Sequence, residues 1–334
     1  STARAYFEGG AMADGKTDRT VGDIGEFALI ERLVSDTPTS KAIEVGPGDD
    51  AAVIGLSDGR VVACVDVLVE GTHFRRDWSS AVDVGRRVAA ASLSDINAMG
   101  AECSSLLVGL VAPGELAGAW IVEAAAGLKE EAAAAGALLI GGDTTQGDSI
   151  VFSVTALGFL DGRAPVTRGG AQPGDRVALC GRLGWAAAGL AVLGRGFRSP
   201  KVLVDAHRFP VIDYTCGPRA ATAGATAMID ISDGLIADVG HIAAASNVAI
   251  DLDSTTLEVA EPLQAAAAAY NVNPKVWMLT GGDDHALVAC LPDGVELPDG
   301  FLEIGRVSKG AAQVTVDGSE PEWLEGPGGF THFA

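Results

Sequence analysis

The sequence predicts an α+β protein made of two mixed α/β domains, on three observations. Apolar segments of strand length alternate with longer segments of helical period. A polar, glycine- and proline-rich stretch, DGRAPVTRGGAQPGD, breaks that texture at residues 161–175 and marks a domain boundary near its start. The chain, at 334 residues, is also long for one hydrophobic core. The expected domains are residues 18–160 and 161–334. Residues 1–17 are set apart as an expression remnant or disordered N-terminus, because STARAYFEGGA lacks an apolar signal core.

Taken in order, Asp23 is placed to cap a helix over 24–34, where Ile24, Phe27, Ile30 and Val34 recur at helical spacing. Residues 45–66, VGPGDDAAVIGLSDGRVVACVD, read as two apolar runs around a Ser57-Asp58-Gly59 turn. Antiparallel pairing of those runs would bring Asp50 and Asp66 to one end of a hairpin. Gly71-Thr72-His73-Phe74 is a loop, and 80–99 is a long helix with a small-residue face and Asp95 near its end. A strand over 104–111, an alanine-rich helix over 116–135 and a short buried strand over 137–140 lead into Gly141-Gly142-Asp143. A strand over 150–160 closes the first domain. The second domain restarts with a strand at 176–180, then helices at 185–193 and 218–224. A strand at 227–231, a helix at 235–245, a strand at 248–252 and a helix at 263–270 come next, with strands at 286–291 and 302–307 near the end.

Composition narrows the function. Hydrophobic residues are 48% and charged residues 20%, so the chain folds as a globule. A formal net charge of −21 opposes nucleic acid, whose phosphates need a basic face. It would also repel ATP unless divalent cations stood between them. Five scattered cysteines with no C-x-x-C pair argue against a disulfide framework or zinc site and suit a reducing cytoplasm. No apolar stretch approaches the roughly 18 residues of a membrane span. Gly10–Thr17 matches the P-loop pattern, but a poor strand precedes it and Gly22 interrupts the segment after it, so the match is set aside.

The chemistry lies in acidic spots, several of them glycine-flanked: Asp49-Asp50, Asp66, Ser94-Asp95, Gly141-Gly142-Asp143-Thr144, Asp230-Ile231-Ser232-Asp233-Gly234 and Gly281-Gly282-Asp283-Asp284. Carboxylates placed where strands give way to glycine turns suit hard cations, which take oxygen ligands. Plainer readings stand beside each. Asp49 and Asp50 are ordinary turn residues, and Ser232 or Asp233 would serve as an N-cap for the next helix. His73 fits a surface loop, Arg168 beside Gly169-Gly170 is either a phosphate contact or a solvated arginine, and Phe330 is either core or a stacking surface. No Ser/His/Asp or Cys/His arrangement is legible.

In order, the stretches GEFALIERL, VGPGDDAAVI, VDVLVEGTHF, SLSDINAMGA, LIGGDTTQGD, VTRGGAQPGD, IDISDGLIADVGHIA, LTGGDDHAL and GGFTHF resemble the thiamine-monophosphate kinase family. That family lies within the aminoimidazole-ribonucleotide-synthetase-like superfamily, and the resemblance covers about Asp23 to Phe333. It implies the superfamily's fold and ATP-dependent phosphorylation of thiamine monophosphate to thiamine diphosphate with several Mg²⁺ ions. It also implies a homodimer whose N-terminal halves share a sheet structure, with ATP in an N-domain cleft. By position, it puts Asp50, Asp66, Asp95, Asp143, Asp230 and Asp233 in the metal set. Gly142, Asp143, Arg168 and Ser232 fall on the nucleotide, and His73, Asp283 and Phe330 on the thiamine phosphate.

Three positions depart from the family pattern. Val65 stands where a hydroxyl residue is usual, Asp283 is one methylene shorter than the usual glutamate, and His285 replaces a common tyrosine. The rival readings are a superfamily sibling with another acceptor and, in a different class, a non-catalytic acidic cation-binding protein. No EF-hand spacing supports the latter. No general base is expected, because a phosphate oxygen is already nucleophilic and transfer is chiefly a matter of charge and alignment.

Overall fold

The computed structural model describes residues 19–34, 40–45 and 51–320. Asp49, Asp50 and Phe330, and the P-loop-like match at 10–17, lie outside the described residues. The chain opens with α1 (Val21–Ile24), α2 (Glu26–Val34), β1 (Ile43–Val45), β2 (Val53–Ile54) and β3 (Val62–Val69). Then come α3 (Ala81–Ala98), β4 (Glu102–Ala112), α4 (Gly118–Ala134), β5 (Leu138–Gln146) and β6 (Val151–Phe159). After a short 3₁₀ turn at Arg168–Gly170 come β7 (Arg176–Cys180), α5 (Trp185–Gly194), α6 (Lys201–Arg208), α7 (Cys216–Thr222) and β8 (Ala227–Asp230). The remainder is α8 (Leu235–Ser246), β9 (Ala249–Leu252), α9 (Glu261–Tyr270), α10 (Pro274–Thr280), β10 (Leu287–Leu291), β11 (Phe301–Ser308) and β12 (Gln313–Val316).

Among the described residues two large sheets form, beside the small β1-β2 pair. The first has order β3-β6-β4-β5 and the second β12-β9-β11-β7-β10-β8. In the first, β4 and β5 run parallel because α4 makes the crossover between them, and the other neighbours are antiparallel. Phe152, Val154 and Ala156 of β6 face α3 and α4 and are buried. Ser153, Thr155 and Leu157 alternate onto the other face and are half-buried. A capping box starts α3: Ser80 Oγ accepts from Asp83 N at 3.2 Å, and Ser80 N donates to the Asp83 carboxylate at 2.9 Å. Two glycines let α3 and α4 touch backbone to backbone. An added Cβ at Gly85 would come within 1.8 Å of Ala124 O, and one at Gly127 within 2.1 Å of Val82 O. The second lobe packs α5, α8 and α9 around Val177, Ile229, Ile231, Leu235 and Val288.

Four expectations need correction. The 45–66 hairpin does not form. β2 pairs with β1, and β3 pairs along its whole length with the distant β6, whose apolar alternation covers it better than the two-residue β2 can. Gly141-Gly142-Asp143 is not a turn, because β5 runs on through it to Gln146 as an edge strand, with Ile140 unpaired at an irregularity beside Leu106/Leu107. Thr20, not Asp23, caps the first helix, and Asp23 is the reciprocal member of that box. Neither Ser232 nor Asp233 caps α8. The Asp238 carboxylate, one turn inside the helix, accepts from Asp233 N and Gly234 N at 3.0 Å each. Helices α6 and α10 and strand β12 lay outside the expected elements.

Candidate active site

A cavity of about 470 Å³ lies between the two lobes, walled by β3, the end of α3, the Arg168 turn and β8. Cys64, Asp95, Arg168 and Asp230 line it. Each side chain arrives there for a local reason. Alternation along β3 sends Cys64 and Asp66 towards α3 and Val65 to the opposite face, where it is 61% exposed. On α3, Ser92 and Asp95 are three residues apart and share a face. Asp230 ends β8, where the chain leaves the sheet for Ile231-Ser232-Asp233.

Serines from α3 orient two of these acids. Ser92 Oγ donates to Asp66 Oδ2 at 2.7 Å, and Ser94 Oγ donates to Asp230 Oδ2 at 2.9 Å. The same Asp230 oxygen is 3.1 Å from His285 Nδ1. Burial works against a charged His285, but the hydrogen bond and charge of Asp230, with the charge of Asp283, raise its pKa. His285 is therefore the buried hydrogen-bond partner of Asp230.

The acids crowd one another. Ligand atoms of Cys64, Asp66 and Asp95 lie within 4.8 Å of one another. Burial, followed by the charges of Asp230 and Asp66, pushes the Asp95 carboxyl up to about 7. Such a cluster gains from a cation placed among its oxygens. Burial and the charges of Asp95 and Asp66 also push the Cys64 thiol up, so it stays neutral and donates to Ser92 O at 3.2 Å. A protonated thiol does not suit a hard cation, which leaves Asp66, Asp95 and Asp230 as the oxygen donors that fit Mg²⁺.

The other expected residues spread outwards from this centre. Ser232 and Asp233 come directly after Asp230, and Arg168 is exposed at the cavity wall. His73 stands in the turn beyond β3, about 10 Å along the strand from Asp66 at the usual rise. Its Nδ1 accepts from Val69 N at 3.0 Å, which leaves a neutral ring's proton on Nε2. Gly142 and Asp143 are across the sheet. The register row Asp66–Val154–Val108–Gly142 puts three strand intervals, about 14 Å, between the two edges. Gly142 admits no side chain, since a Cβ there would lie 2.1 Å from Val108 O. Asp143 is exposed on that far edge.

Asp283 sits on a tightly held loop. Its φ is 65° and that of His285 is 51°, while Asp283 N and His285 N donate to Ser232 O and Ile231 O at 2.9 Å each. Asp284 turns inward and accepts from Ala186 N at 2.9 Å and from Gly184 N, at the start of α5. Burial pushes its carboxyl up to about 7. Sequence reasoning missed Ser92 and Arg87. Their one signal was polarity within a helix face otherwise built of small apolar residues.

The AIR synthase related protein, N-terminal domain, family model matches residues 48–160. The thiamine-monophosphate kinase of Mycobacterium tuberculosis is 47% identical over 302 residues, covering 90% of each chain. That of Corynebacterium glutamicum is 39% identical over 318 residues, covering 92% of this chain and 94% of the other. Among solved structures, AaThiL complexed with AMPPCP and TMP superposes with a TM-score of 0.76 at 32% identity, covering 93% of this chain and 97% of that one. With identity of this degree across nearly its whole length, the chain belongs to the thiamine-monophosphate kinase family.

Proposed function

We propose that this protein transfers the γ-phosphoryl group of ATP to thiamine monophosphate, giving thiamine diphosphate and ADP. Family membership carries the reading, and the cavity accounts for it physically. Two carboxylates of that cavity, Asp95 and Asp230, together with the neighbouring Asp66, would hold Mg²⁺, with Asp233, Asp50 and Asp143 as further members of the set. Bound Mg²⁺ supplies neutralisation of the polyphosphate charge. The chain's own residues do the positioning: Ser92 and Ser94 fix carboxylate rotamers, Arg168 offers a bidentate contact to phosphate, and Gly142 and Ser232 meet the nucleotide. His73, Asp283 and Phe330 are assigned to the thiamine phosphate.

Transfer is direct and in line, because the acceptor oxygen needs no base. With γ-labelled ATP, the label should pass to thiamine diphosphate with none held covalently by the protein. A labelled protein intermediate competent for turnover would refute direct transfer.

The working unit is proposed as a homodimer. Val65 and Val67, 61% and 51% exposed, lie on the open face of the first sheet, a surface that gains from a covering partner. A twofold axis running along the strands at that face would also carry the Asp143 edge of one copy towards the Asp66 edge of the other. Sedimentation should show a dimer for the wild type and a monomer for Val65→Lys; a monomeric, fully active wild type would refute it. The functional division of the chain is taken near residue 160. Five free cysteines suit the cytoplasm, the proposed location, and among the described residues no helix is long and apolar enough to cross a membrane.

A further inference from the structure

Arg87 lies inside α3 and is 8% exposed, which is rare for an arginine unless its charge is met. Both of its partners come from the second lobe. One nitrogen lies 2.7 Å from Asp283 Oδ2, and another donates to the backbone carbonyl of His207, in the last turn of α6. The two ends of the ion pair differ in exposure. The Arg87 side chain is 10% exposed and that of Asp283 47%, so the carboxylate is gripped on one side and open on the other.

The loop beneath Asp283 cannot recede. Asp283 N is bonded to Ser232 O, and a Cβ at Gly282 would come within 2.2 Å of that same carbonyl. Arg87 and Ser94 are seven residues apart, nearly in line on one helical stripe. Ser94 holds Asp230 and Arg87 holds Asp283. One helix of the first lobe thus addresses both acidic segments of the second.

We infer that Arg87 is a positioning residue for the acceptor: it fixes the Asp283 carboxylate, through one oxygen, so that the exposed remainder meets the cationic ring of thiamine monophosphate. This rests on the kinase reading above. Desolvation on its gripped side opposes the charge of Asp283, but Arg87, then His285 and His207, hold its pKa below the usual carboxylate range. The short aspartate, in place of the family's glutamate, has fewer rotamers to search. A single guanidinium nitrogen on one oxygen, itself held in place by the second nitrogen's bond to the His207 carbonyl, narrows the directions left to the carboxylate.

The test is steady-state kinetics on the full chain with Arg87→Met, Arg87→Lys, Asp283→Asn and the double variant Arg87→Met/Asp283→Asn. Arg87→Met should raise KM for thiamine monophosphate about tenfold while KM for ATP moves less than about twofold. Arg87→Lys should recover part of that loss. The double variant should be no worse than the more impaired of its two parents, because one residue acts through the other. Equal rises in both KM values, unchanged kinetics, or additive losses in the double variant would overturn the assignment.

Should Arg87→Met fail to fold, Arg87→Lys and Asp283→Asn must show the same acceptor-selective rise, and its absence overturns the assignment equally. A wild type that makes no thiamine diphosphate would sink the kinase reading itself. Arg87 would then be judged by equilibrium binding of thiamine monophosphate, which substitution must weaken if the positioning role holds.

Discussion

At the scale of single residues, Asp66 and Asp230 are each held by a serine of the same helix, at 2.7 and 2.9 Å, so their carboxylates are oriented before any ligand arrives. Pre-orientation matters here because the work is electrostatic. Removing one charge from the set should lower kcat without disturbing the fold. Asp66→Asn and Asp143→Asn should each cost about 100-fold or more in turnover, the scale of losing one electrostatic contact to a transition state, with melting temperatures close to wild type. Wild-type rates in both at saturating Mg²⁺ would remove them from the metal set.

The acids were legible in the sequence because an Asp ending an apolar run, or standing beside Gly as Asp143, Asp233 and Asp283 do, is a local pattern. Arg87 was not legible, since its partner Asp283 lies 196 residues away by their numbering. Ser92 was equally hidden. Its bond to Asp66 depends on how α3 is rotated over β3, which no local pattern specifies.

At the scale of elements, α3 organises the site. It presents Ser92 and Asp95 to β3, Ser94 to β8 and Arg87 to the Asp283 loop, while its N-terminal half lies on α4 through Gly85 and Gly127. The axis of α3 therefore depends on that close glycine contact. Gly85→Ala would force a methyl group to within 1.8 Å of Ala124 O, so the helices must part. The expected cost is about 1–3 kcal/mol of stability, from the usual scale of overpacking, read from the denaturant midpoint, with activity falling as well. An unchanged midpoint would show that α3 and α4 do not depend on this approach.

Helices with strong small-residue or alanine-rich patterns, α3 and α4, were legible to within a few residues. Strand partners were less so. The runs around Ser57-Asp58-Gly59 look like a hairpin, yet β3 finds eight register partners on β6 and none on β2. Pairing is decided by total burial, not proximity in sequence. In the same way Gly141-Gly142 reads as a turn, although parallel pairing with β4 carries the strand through it.

At the scale of the whole molecule, two lobes of separate sheets meet over one cavity, and a chain of net charge −21 concentrates acids there. A surface of that sign would repel two phosphate-bearing substrates without cations to mediate, so turnover should be lost when a chelator removes divalent metal and return when Mg²⁺ is restored. The mixed α/β class was legible from alternating periods. The meeting of the lobes was not, because it rests on long-range contacts such as Ser94 with Asp230.

The most direct measurement is product analysis of the purified protein with ATP and Mg²⁺, comparing thiamine monophosphate with free thiamine as acceptor. The account predicts thiamine diphosphate and ADP from the monophosphate, and no phosphorylated product from free thiamine. ADP formed without thiamine diphosphate, or no ATP turnover by the folded protein, would contradict it.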